Sequence, residues 1–124
     1  MKKLKGVDGK LDEAWSRLVK LRAGMSCEVC GKTTTLNSHH IYSRSNRSVR
    51  WNPDNGICLC VAHHTFGSFC AHKSPTEFTE WLYDRKGAEF MNTLKIKAHM
   101  TIKYSKFEKE LLLKSLKNEI AIHD

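Results

Sequence analysis

A chain of 124 residues and 14.3 kDa holds one modest core and excludes two sizeable domains. With 40% hydrophobic and 27% charged residues, and apolar runs of only a few residues such as Leu111 to Leu113, the composition is that of a soluble globular protein and excludes a membrane-spanning helix. Lys and Arg outnumber Asp and Glu by 21 to 13, a formal net charge of +8, which points to a polyanionic partner and first of all to nucleic acid.

The excess charge is uneven. Residues 1–24 carry seven bases against three acids, residues 25–72 four against two, and residues 73–124 ten against eight. The opening Met1-Lys2-Lys3-Leu4-Lys5-Gly6 is basic but has no apolar stretch behind it, so it does not read as a secretory signal, and a cytoplasmic address is expected.

From Asp8 to Ala23 the apolar residues Leu11, Ala14, Trp15, Leu18, Val19 and Leu21 recur at three and four, predicting an amphipathic helix with Asp8 as N-cap and Gly24 as its stop. Residues 25–72 change character. Cys27-Glu28-Val29-Cys30-Gly31 reads as a tight turn, Leu36 to Tyr42 as a strand, Ser43 to Asp54 as a polar basic loop, and Gly56 to Leu59 as a second short strand. Ser74-Pro75-Thr76-Glu77 then supplies an N-cap, a proline in the first turn and the Glu of a capping box, opening a helix with Phe78, Trp81 and Leu82 on one face and Gly87 as its end. A further helix is expected from Ala88 to Met100 (Phe90, Met91, Leu94, Ile96), and a last one from about Ser105 to Ile120 (Phe107, Leu111, Leu112, Leu116, Ile120). The aromatic residues Trp15, Phe78, Trp81, Phe90 and Phe107 read as core at helical spacing. The sum is a single α+β domain over residues 1–124: an N-terminal helix (1–24), a metal-organised centre (25–72) and C-terminal helices (73–124).

Five cysteines arranged as a pair, a later cluster and an outlier favour metal over a disulfide framework in a reducing compartment. Zinc takes four thiolate or imidazole ligands in a tetrahedron, and residues two apart can hold it from one turn. Cys27-x-x-Cys30 and Cys60-x-x-His63 fit this requirement, enclosing 29 residues, longer than the interior of a compact finger. Cys58 competes weakly with Cys60, because a Cys-x-Cys turn chelates poorly and Cys58 is expected to face away. Cys70 reads as a small buried hydrophobe.

The enclosed segment carries His39-His40-Ile41, Arg44, Arg47 and Arg50, and then Trp51-Asn52-Pro53-Asp54-Asn55-Gly56-Ile57-Cys58-Leu59-Cys60-Val61-Ala62-His63-His64. Over about residues 27–72 this order and spacing resembles the HNH endonucleases, specifically the small phage and bacterial type with a CxxC zinc knuckle. A His dyad before an aliphatic residue, an Asn ahead of a strand ending Leu-Cys, and a Cys-x-x-ligand-His run entering a helix all match.

The resemblance implies a ββα-metal centre, treble-clef-like, with a structural zinc and flanking helices. It implies a metal-dependent DNA endonuclease that hydrolyses phosphodiester bonds with a single catalytic divalent cation, whether magnesium, manganese, nickel or zinc. By the same analogy His40 is the general base and His39 ligates the catalytic metal; Asn55 orients the His40 loop or ligates the metal; and His64 supplies another ligand. The fourth zinc ligand in such proteins is usually Cys, so His63 and His64 stand open to exchange of roles, with His63 favoured for zinc. Position 68 is Ser68 where many relatives carry a further His, and His72 completes the site only if an insertion loops out between them. Adjacent strand residues face opposite ways, so His39 and His40 meet one phosphate only where the strand bends or ends.

Arg44, Arg47 and Arg50 are the expected DNA contacts, while Trp51 reads as core. DNA is the expected partner, with a homodimer or a phage or host DNA-processing protein beside it, in the cytoplasm of a bacterial host and without membrane association. The alternative is a non-catalytic, zinc-stapled nucleic-acid-binding module. A helical interaction protein in which zinc replaces a missing core is a third reading.

Overall fold

The computed structural model describes residues 6–66 and 70–123. The readings of the opening Met1–Lys5 and of the insertion at Gly67-Ser68-Phe69 fall outside them. In chain order the elements are α1 (Val7–Arg22), β1 (Leu36–His40), a 3-10 turn (Pro53–Asn55), β2 (Gly56–Cys60), a π-helical turn (Ala62–Phe66), α2 (Pro75–Lys86), α3 (Ala88–His99) and α4 (Lys106–His123). This is a mixed α+β arrangement, and among the described residues no helix is long and apolar enough to cross a membrane.

The two strands pair antiparallel, with Leu36 opposite Cys60, Ser38 opposite Cys58, His39 opposite Ile57 and His40 opposite Gly56. Every residue of β2 is buried, because helices cover both of its faces. On one side α1 brings Leu11, Trp15, Leu18 and Val19 against Cys58; on the other, Ile57 and Leu59 pack with Phe78, Leu82 and Met91 of α2 and α3. Each fully buried aliphatic chain of this kind contributes roughly 1.5–3 kcal/mol.

Gly56 is where α1 comes closest. A Cβ there would lie 2.3 Å from a methyl of Val19 and 2.9 Å from the Trp15 ring. The Asn-Gly pair therefore marks a close approach of helix and strand.

β1 ends at His40, two residues short of expectation, because the ladder passes to Asn55: the Ile41 N–H donates to the Asn55 carbonyl (3.2 Å) and the Tyr42 N–H to Asn55 Oδ1 (2.7 Å). The segment that follows is polar but well held. Asn46 donates to the Ala98 carbonyl, Ser48 to that of Met100, and Val49 is buried against Leu94 and Ala98 of α3.

Two helix-end details differ from the sequence reading. The N-cap of α1 is Gly6, and Asp8 instead lies in the first turn, where its carboxylate meets Arg47 and Lys109. Ser74 holds the N-cap position of α2 without a side-chain cap hydrogen bond.

The apolar stripes of the last helices also shift. Phe107, Leu111 and Ile96, expected in the core, are exposed. α4 lies on α1 through Leu112, Leu116 and Ile120, spaced at four, which turns Phe107 and Leu111 outward. α3 buries Met91, Leu94 and Ala98, and Ile96 lies on its far side.

Candidate functional site

The hairpin and the π-helical turn create two histidine-containing clusters side by side. In the first, ligand atoms of Cys27, Cys30, Cys60 and His63 all lie within 4.8 Å of one another. Cys30 Sγ is 3.8 Å from Cys60 Sγ, and His63 Nδ1 is 3.8 Å from Cys27 Sγ and 3.3 Å from Cys60 Sγ. A tetrahedron with Zn–S near 2.3 Å and Zn–N near 2.0 Å has edges of roughly 3.8 Å between sulfurs and 3.5 Å between sulfur and nitrogen. The four side chains fit that ion, and a Cys3His set of this shape can hold a structural metal such as zinc.

The knuckle is built locally. The Cys27 N–H donates to the Lys32 carbonyl and the Gly31 N–H to that of Cys27, both at 2.8 Å, and Gly31 takes φ 79°, a left-handed conformation open to glycine. Burial opposes ionisation of Cys27, but backbone hydrogen bonds from Cys60, Cys30 and Val29 outweigh it and bring the thiol down to about 6, favouring the thiolate that a metal needs. Glu28 fastens the knuckle to the rest of the fold: its carboxylate accepts from the Cys58 N–H (2.9 Å), Arg85 (3.3 Å) and Lys86 (3.0 Å).

Cys58 stands apart from this group. It shares strand parity with Cys60, but β2 ends at Cys60 and the chain turns there, so Cys58 packs in the α1 core, where burial pushes its thiol up to about 11. Cys70 is fully buried, as expected of a small hydrophobe.

The second cluster joins His39 of β1, His64 of the π turn and His72, whose ligand nitrogens also lie within 4.8 Å of one another. His64 Nε2 and His72 Nε2 face each other at 3.0 Å, and the three rings stand edge-on to one another at centroid distances of 4.6–5.3 Å. Two nitrogens each about 2.1 Å from one cation, at right angles, would be roughly 3.0 Å apart, so this pair has the spacing of neighbouring ligands. Burial, reinforced by the charges of His64 and His72, depresses His39 to about 4, and burial also lowers His64. Neutral imidazole is the form that ligates.

Of the two consecutive histidines, His63 lies with the cysteines and His64 with His39. Both residues lie in a π turn rather than the expected helix, and consecutive positions on a helical turn point in different directions. His72 is drawn in by backbone bonds from its own N–H to the His64 carbonyl (3.3 Å) and from Ala71 to His63 (2.9 Å).

His40 points the other way from His39, as strand alternation requires. Its ring stacks on Trp15 at 3.7 Å with 7° between the planes, and its Nε2 lies 3.0 Å from the Arg50 carbonyl oxygen. A carbonyl only accepts, so Nε2 carries the hydrogen, and in the neutral ring the lone pair is at Nδ1. Burial lowers the proton affinity of His40, partly offset by the Arg50 bond and the Asp12 charge.

Asn55 is fully buried and uses its whole amide: Nδ2 donates to the carbonyls of Tyr42 (3.0 Å) and Val49 (3.1 Å), and Oδ1 accepts from Tyr42. Of its two expected roles the geometry fits the fixing of the loop, since the side chain is fully buried and both its amide nitrogen and its oxygen are bonded to the backbone of residues 42–49.

The three arginines are tied to α1. Arg50 is bidentate on Asp12 at 2.7 and 3.0 Å with its side chain 12% exposed, Arg44 reaches the same carboxylate at 3.0 Å, and Arg47 pairs with Asp8 at 2.8 Å. Arg50 is thus a structural residue in this fold, whereas Arg44 and Arg47 remain substantially exposed. Trp51 is buried, as expected, and donates to Asp12 at 2.8 Å. No protein-family model, curated protein or solved structure matches this chain.

Proposed function

We propose that this protein is a metal-dependent nuclease of the HNH type, hydrolysing phosphodiester bonds of DNA at the His39–His64–His72 cluster. The observation that carries the reading is the gathering of His39, His64 and His72 at one spot, next along β1 from His40, whose ring turns to the opposite side of the strand and is held in the tautomer that leaves the Nδ1 lone pair to take a proton. The ββα-metal description follows from the same reading, with β1, β2 and the π turn as its parts and the Cys3His cluster as its zinc staple.

A divalent cation bound by His39, His64 and His72 would supply Lewis-acid stabilisation of the charge on the phosphate and the departing oxygen. The remaining work belongs to the chain. His40 Nδ1 accepts the proton of the attacking water while the Nε2–H stays on the Arg50 carbonyl. The water oxygen bonds to phosphorus, the bond to the 3′ oxygen breaks, and that oxygen takes a proton from solvent, leaving 5′-phosphate ends. Asn55 holds residues 42–49 against the hairpin, fixing the path of the chain on to Arg50. Arg44 and Arg47 provide cationic groups beside the site for the phosphate backbone.

The test compares wild type with His40→Ala on supercoiled plasmid. Nicking by wild type that falls at least a hundredfold in the variant, with zinc content and fold kept, is expected. Unchanged nicking by the variant, or DNA binding without cleavage in both proteins under every divalent metal, would replace the nuclease reading with that of a binding module.

A further inference from the structure

Helix α1 does more than cover the hairpin. Asp12 and Trp15 lie one turn apart on it and reach the two sides of the His40 environment. Asp12 accepts four hydrogen bonds from the 44–51 segment: Arg50 Nε (3.0 Å) and Trp51 Nε1 (2.8 Å) on one oxygen, Arg50 Nη2 (2.7 Å) and Arg44 Nη2 (3.0 Å) on the other. The residue whose side chain it grips hardest, Arg50, is the one whose carbonyl holds His40 Nε2. Trp15 lies flat against the His40 ring and is locked in turn by its own Nε1–H, which donates to the Asn52 carbonyl at 2.8 Å. Gly56, opposite His40 in the ladder, leaves the space in which the Trp15 ring sits.

We propose that Asp12 and Trp15 are positioning residues for His40: Asp12 fixes the carbonyl that selects its tautomer, and Trp15 fixes the plane of its ring. The proposal rests on the reading of His40 as the base. Its physical logic is that a side chain at the end of a strand is held to a productive geometry only by contacts on several sides, and a displacement of about 1 Å can cost a hundredfold in rate. A carboxylate with four donors and a buried indole with a satisfied N–H are two such contacts, supplied by one rigid helix. The arginines of the loop then have a role besides charge, because Arg44 and Arg50 are the means by which Asp12 holds the segment.

The experiment uses the zinc-loaded full chain and the variants Asp12→Asn and Trp15→Leu, with Leu116→Ala as a comparison that opens the same α1–α4 core without altering any residue around His40. Two quantities are read: the His40 tautomer, from long-range nitrogen–proton NMR correlations of the ring, and kcat and KM for plasmid nicking. Wild type and Leu116→Ala are expected to show the single Nε2–H form, and Asp12→Asn and Trp15→Leu a mixture of tautomers. In the latter two kcat is expected to fall about tenfold to a hundredfold with KM within twofold of wild type. An unchanged tautomer in both variants, or a fall in kcat no greater than in Leu116→Ala, overturns the proposal. The NMR measurement needs no activity, so a wild type that cleaves nothing, with the tautomer shift still seen in Asp12→Asn and Trp15→Leu, refutes the nuclease reading alone and leaves the positioning intact.

Discussion

Replacing Gly56 by alanine adds one methyl group at the tightest helix–strand contact. The backbone at Gly56, φ −143° and ψ 150°, is ordinary extended chain, so the substitution carries no conformational penalty and isolates packing. The new Cβ would lie 2.3 Å from Val19 Cγ2, 2.9 Å from Trp15 Cζ2 and 3.2 Å from Val19 Cγ1, against an optimum near 3.5–4.0 Å. Val19 has little escape, because a β-branched side chain in a helix has essentially one rotamer, so α1 must move by about an ångström. Overpacking of this kind costs about 1–3 kcal/mol, roughly 5–15 °C in Tm for a chain of this size. Thermal and urea unfolding of the zinc-loaded protein measure it. Val19→Ala removes two of the three overlaps, so the double variant is expected to be more stable than the sum of the single losses by at least about 1 kcal/mol. Additivity, or a Gly56→Ala protein as stable as wild type, would refute the close approach of α1 to β2.

Other expectations follow from the same geometry. Asn55→Ala strands the Tyr42 N–H and the Tyr42 and Val49 carbonyls, and should lower unfolding free energy by about 2–5 kcal/mol; a loss under about 0.5 kcal/mol in urea titrations would contradict the amide's structural role. His39, ordinarily near 6.5 but held at about 4 in the fold, binds its proton more readily when unfolded. Stability should therefore fall as pH drops from about 6.5 towards 4, by up to about 3 kcal/mol, and His39→Gln should remove that part of the slope in otherwise matched melts. Arg44→Ala with Arg47→Ala should reduce the dependence of log affinity for DNA on log salt by about 1.8, whereas Arg50→Ala should chiefly destabilise; equal slopes in wild type and the double variant would remove the phosphate role. Cys30→Ser should lower zinc retention against a mild chelator, and retention equal to wild type would exclude Cys30 from the Cys3His set.

Much of the candidate site is legible along the chain because metal ligation leaves a short-range signature. Cys27, Cys30, Cys60 and His63 are spaced by the turns that bring them together, whereas His39 and His64 are reached only through the family resemblance and His72 only on condition that the chain loops out before it. What cannot be read locally depends on contacts distant in sequence. Nothing around Asp12 announces that it will gather Arg44, Arg50 and Trp51, and Trp15 at helical spacing is indistinguishable from any other core tryptophan until His40 is seen against it. The periodicity of α4 is shared between two faces, so the choice between a Phe107–Leu111 stripe and a Leu112–Leu116–Ile120 stripe is made only when α1 supplies the partner surface. The π turn escapes for a related reason: Ala62–Phe66 carries no breaker, and its residues do not distinguish a π turn from an ordinary helical one.

The central claim is that two metal sites with different duties sit on neighbouring residues, and it is tested most directly by measuring metal content and cleavage on one sample. One zinc per chain should survive dialysis against a mild chelator. Titration with manganese or nickel should add one further ion, absent in His64→Ala, and nicking of supercoiled plasmid should rise in step with that second ion and vanish with His64→Ala. Cleavage that persists with the second site emptied, or its absence when the site is filled, would contradict the account.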